Sequence, residues 1–81
     1  MIITFGASKL KDISDIANYA AGFGCQIVNI HKDKWTSNNW LVDGYRVWIN
    51  AVNGKLASEL TENIVKHFKD RQHFTAEIAE K

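Results

Sequence analysis

The spacing of apolar and polar positions divides this chain into six segments. Ile2, Ile3, Thr4 and Phe5 form a short, nearly continuous apolar run ending at Gly6, the pattern of a central strand. From Lys9 to Ala21, Leu10, Ile13, Ile16, Ala17 and Ala20 recur every three or four residues, while Lys11, Asp12, Ser14, Asp15 and Asn18 face the other way. That is an amphipathic helix with Asp12 and Asp15 on its solvent side. Ser8 stands at the expected N-cap, and Gly22 and Gly24 supply positive-φ positions for its end. Cys25 to about Lys34 reads as a second strand, with Val28 and Ile30 towards the core and Asn29 and His31 away from it.

The second half repeats the scheme. Thr36 to Asn39 is a polar break, and Trp40, Leu41 and Val42 lead into Asp43-Gly44, a strong two-residue hairpin signal. Tyr45, Val47, Ile49 and Ala51 then alternate with Arg46, Trp48 and Asn50; the first set is the core face. Asn53-Gly54 suits either a helix start or a further hairpin. Leu56, Leu60, Ile64 and Phe68, with Val65 alongside, define a second helix to about Arg71, and Phe74, Ala76 and Ile78 alternate as a last strand.

The order β-α-β-β-α-β predicts an α+β fold, a two-layer sandwich in which two helices cover one face of an antiparallel sheet, ferredoxin-like or related. Residues 1–81 are expected to form a single small domain. Asn29, His31, Arg46, Trp48 and Asn50 then gather on the face that no helix covers.

Composition narrows the function. Ten Lys and Arg against nine Asp and Glu leave a net charge of +1, too little for a strongly basic nucleic-acid binder and enough only for a local patch. The single cysteine, Cys25, has no internal partner, which suits a reducing compartment. With no signal-like N-terminal run and no apolar stretch long enough to span a bilayer, the expectation is a cytoplasmic protein, a monomer or small homodimer.

All three tryptophans lie between His31 and Trp48, interleaved with cations and amides. An indole beside a guanidinium and an imidazole can stack an unpaired base while neighbouring cations meet phosphates. The candidate site is therefore His31, Lys32, Lys34, Trp35, Trp40, Arg46, Trp48 and Asn50, with Asn38 and Asn39 able to read base edges. Lys66, Lys69 and Arg71, near His67 and His73, form a secondary basic patch where helix stability alone also favours cations.

The RNA recognition motif shares this order of elements, and the histidine phosphocarrier domains have a similar length and a related order. In Asp43-Gly44-Tyr45-Arg46-Val47-Trp48, only the glycine and first aromatic match the third-strand signature of the RNA recognition motif, so the similarity stops at architecture. Gly6-Ala7-Ser8 stands where the histidine phosphocarrier domains hold their phosphate-accepting histidine, so that chemistry has no acceptor.

Catalysis finds no support. The three histidines and Cys25 lack metal-ligand spacing, Cys25 opens an apolar strand as a buried thiol would, and no glycine-rich phosphate loop follows the first strand. The expectation is a non-enzymatic protein without cofactor or metal, binding RNA or single-stranded nucleic acid through the open face. The rival is a protein-interaction module, such as a small phage-type inhibitor of a host or defence protein, using the same tryptophans as anchors.

Overall fold

Both periodicities are realised in the burial pattern of the computed structural model, which describes residues 1–80 (for Glu80, the backbone only). The elements are β1 (Ile2–Ala7), α1 (Leu10–Gly22), β2 (Gln26–Ser37), β3 (Trp40–Asn50), α2 (Gly54–Phe68) and β4 (Thr75–Glu80). They build one four-stranded sheet in the order β2-β3-β1-β4, antiparallel throughout. Ile3, Phe5, Val47 and Ile49 on one sheet face join Ile13, Ile16 and Ala20 of α1 and Leu60, Ile64 and Phe68 of α2 in a single core. Two helices on one face of an antiparallel sheet make this a ferredoxin-like α+β fold, as the element order predicts. Each of the large core side chains contributes roughly 1.5–3 kcal/mol by leaving water.

Local chemistry sets the helix ends. Asn53 caps α2: its side-chain oxygen accepts from the Leu56 backbone N–H at 2.8 Å, so Asn53-Gly54 starts a helix rather than a hairpin. That helix ends at Phe68, short of Arg71. Ser8 does not cap α1. Its hydroxyl and its backbone N–H both donate to the Gln72 carbonyl, tying the end of β1 to the loop after α2, and Lys9 takes the cap position without a side-chain bond. Of Gly22, which ends α1, and Gly24, which follows it, only Gly24 has positive φ, at 92°. Leu10, in the unpacked first position of α1, is largely exposed rather than part of its apolar face.

The largest departure from expectation is the central hairpin. The turn falls at Asn38-Asn39, whose φ values of 51° and 68° are both left-handed, as a two-residue hairpin of the favoured twist requires. Asp43 and Gly44 are extended residues inside β3, paired with Lys34 and Asp33. Gly44 is there for closeness: a Cβ would lie 2.6 Å from the Ala7 carbonyl oxygen and 2.9 Å from the Trp35 ring. The register between β2 and β3 also shifts between Ile27 and Asn29. Val28 is the inserted residue and points to solvent, and Ile27 instead packs against the core. Ile30 shares the helix side with Val47, but on the edge strand β2 it remains 39% exposed.

Candidate functional site

Antiparallel register places the predicted side chains in two groups. Residues paired across strands share a face, so Asn29 with Trp48, His31 with Arg46, and Trp35 with Val42 lie on the open side, which Thr4 and Glu77 join through β1 and β4. Lys32 and Lys34 are opposite Tyr45 and Asp43 and point to the other side of the sheet. With Asp33 and Asp43 they line a polar cleft of about 490 Å³ along β2 and β3. No single surface holds both the aromatic rings and these two lysines, contrary to the predicted platform. Strand alternation causes the split: neighbours in sequence on one strand cannot share a face.

Arg46 is the hub of the open side and is 6% exposed. Its Nε donates to Asp33 Oδ2 at 2.6 Å and its Nη1 to Thr4 Oγ1 at 3.1 Å, with Glu77 Oε1 at 3.5 Å. The guanidinium carbon sits 5.1 Å from the centre of the Trp35 ring. One side chain thus joins β1, β2, β3 and β4. Arg46 was expected to meet phosphates; its Nε and Nη1 are instead engaged within the molecule. The Arg46 guanidinium holds the Asp33 carboxyl below the usual carboxylate range, opposed by partial burial and assisted by the Lys34 backbone N–H.

Trp48 lies outside the core, half-buried on the open side, and donates its indole N–H to His31 Nε2 at 2.7 Å, the two rings stacked with centroids 6.0 Å apart. Trp35 is half-buried beneath Arg46, its ring against the Cβ positions of Gly6 and Gly44. Trp40 stands apart at the hairpin tip, 73% exposed beside Leu41 at 71%. Asn50, two residues along β3 on the same side as Trp48, has its Oδ1 engaged by the Met1 ammonium at 3.3 Å, while Asn38 and Asn39 form the turn.

Of the three cations in the secondary patch, one is paired within the fold. Lys66 and Lys69 are exposed, but Arg71 turns back to donate to Asp12 Oδ1 at 2.9 Å, with Asp15 Oδ2 at 3.7 Å. Asp12 is consequently buried, 6% exposed, where the helical pattern placed it in solvent. A cleft of about 430 Å³, lined by Met1, Ile3, Ala57, Ser58, Thr61, Glu62 and Ile78, opens between α2 and the sheet edge; small residues on α2 make the room, and no sequence motif marks it. Cys25 is buried, which pushes its thiol up and away from reactivity. Among the described residues no three of His, Cys, Asp and Glu are grouped as a metal ion would need, and no helix is long and apolar enough to cross a membrane.

No protein-family model matches the chain, and no curated protein matches it in sequence. Solved structures do match. The divalent ion tolerance protein CutA1 from Ehrlichia chaffeensis superposes with a TM-score of 0.60 at 11% identity, over 99% of this chain and 80% of that one. A point variant of CutA1 from Pyrococcus horikoshii OT3 gives 0.54 at 12% identity, over 100% and 85%. These neighbours are neither nucleic-acid binders nor phage-type inhibitors. With Arg46 enclosed and the lysines on the opposite side, they overturn both functions expected from the sequence. What the chain shares with them, from one end to the other, is the fold of CutA1.

Proposed function

We propose that this chain acts in tolerance to divalent ions, the role carried in the name of the Ehrlichia chaffeensis protein, as a non-enzymatic cytoplasmic protein. The observation that carries the reading is the end-to-end match of the fold, 99–100% of this chain, to two CutA1 structures. A non-enzymatic role is supported by the open side, where the charged groups at its centre are paired with one another. The lone buried thiol of Cys25 suits a reducing compartment.

Self-association belongs to the same reading. Trp40 and Leu41 at the hairpin tip, Val28 and Ile30 on β2, and Ile78 on β4 are exposed apolar residues on or near the two unpaired sheet edges. A chain of this length buries only about 60% of its extended surface by itself. Association of copies covers these residues and extends the buried area. Light scattering on the purified protein reads the mass directly.

The test is growth of cells producing the chain, compared with empty-vector cells, in rising Cu²⁺, Zn²⁺ and Co²⁺ with Na⁺ as control. Producing cells are expected to withstand higher divalent concentrations and to match the controls in Na⁺. A parallel thermal unfolding series reads binding, since an ion at a hundred times its Kd stabilises the native state by about 2.7 kcal/mol. Unchanged tolerance to all three ions overturns the proposal.

A further inference from the structure

We propose that His31 and Trp48 form a proton-operated latch on the open side of the sheet, a device independent of the role in ion tolerance. The ring of His31 is held at both nitrogens: Nδ1 lies 2.7 Å from the Lys32 carbonyl oxygen and Nε2 lies 2.7 Å from the indole Nε1 of Trp48. A carbonyl only accepts and an indole N–H only donates. The imidazole is therefore neutral, with its proton on Nδ1 and its lone pair on Nε2 facing Trp48. A second proton can enter only at Nε2, and there it sets N–H against N–H. The one hydrogen bond of the Trp48 indole is lost and the stacked ring is released.

The imidazole is exposed, so protons reach it. The charged groups around it come from three strands. Arg46 of β3 is its cross-strand neighbour, Asp33 lies two residues along on the same side of β2, and Glu77 of β4 reaches Arg46. Lys32, adjacent in sequence, points to the opposite side. Arg46 opposes a second proton on His31 and Asp33 favours it. Arg46 and Asp33 are themselves paired at 2.6 Å, and the bond from Trp48 is the contact at Nε2 that a second proton must break. Imidazole as a class is the side chain that changes charge between about pH 5 and 8, which sets the range over which the latch is tested.

The test is the set of three indole N–H resonances in ¹H–¹⁵N spectra of the whole chain, followed from about pH 8 to about pH 5, alongside the ring nitrogens of His31. At the upper pH, His31 is expected to carry its proton on Nδ1. On acidification the Trp48 resonance shifts along the His31 titration, while those of Trp35 and Trp40 hold still. In His31→Gln, whose amide oxygen accepts from Trp48 but does not titrate, the Trp48 resonance stays in place throughout. Three results each overturn the latch: a Trp48 resonance unmoved in the native chain, the same movement in His31→Gln, or all three indoles shifting together.

Discussion

The two sides of the sheet solve the same packing problem with opposite chemistry. Under the helices, Ile3, Phe5, Val47 and Ile49 meet aliphatic side chains, and stability comes from area removed from water. On the open side, Thr4, Asp33, Arg46 and Glu77 hold the four strands through one guanidinium, with Trp35 laid against it. The first arrangement tolerates changes that keep shape. The second depends on partners, since a buried charge without its pair is costly. An aromatic and basic strand face is thus not by itself a binding platform; what decides is whether its charges already have partners inside the fold.

The contrast can be broken most strongly from the helix side. Phe5→Ala removes a fully buried ring that also stacks on Phe74, and is expected to cost about 3–5 kcal/mol in urea unfolding. Against a total of roughly 4–12 kcal/mol for a chain of this length, that approaches unfolding. Arg46→Met keeps an unbranched stem of similar thickness but discards the guanidinium and its charge. It is expected to cost about 2 kcal/mol, below the 3–5 kcal/mol of a fully buried pair because Asp33 and Glu77 reach water.

Acid gives a smaller and more specific effect. Asp33 has a depressed carboxyl because of Arg46, so its stabilisation is complete above the ordinary carboxylate value of about 3.9 and is lost as pH falls through the lower folded value. Unfolding midpoints of the native chain are expected to fall more steeply below about pH 4 than those of Asp33→Asn, which lacks this titration. The smallest effect is expected at the hairpin tip. Trp40→Ser should change monomer stability by no more than about 0.5 kcal/mol, because the ring is exposed, while lowering the mass seen by light scattering if copies associate there.

Sequence patterning was sufficient for the helices, the strand order of the chain and the side to which Arg46 and Trp48 point, because those follow from local periodicity. It could not reveal the partners. Thr4, Asp33 and Glu77 reach Arg46 from three other strands, and Arg71 reaches Asp12 from 59 positions away. The hairpin turn lies in the polar break at Thr36 to Asn39 rather than at Asp43-Gly44. Asp43-Gly44 has the stronger local preference, yet the cross-strand fit of Trp35 over Gly44 gave the turn to Asn38-Asn39. The separation of Lys32 and Lys34 from His31 was legible in the same alternation that placed Arg46, and grouping them by closeness in sequence missed it.

The central claim is that Arg46 binds the strands together rather than presenting its charge to a ligand. A double-mutant cycle between Arg46→Met and Asp33→Asn, read by urea unfolding near neutral pH, tests it most directly. The two losses are expected to be non-additive, with a coupling of about 1–2 kcal/mol. Losses that simply add, within about 0.3 kcal/mol, would contradict it.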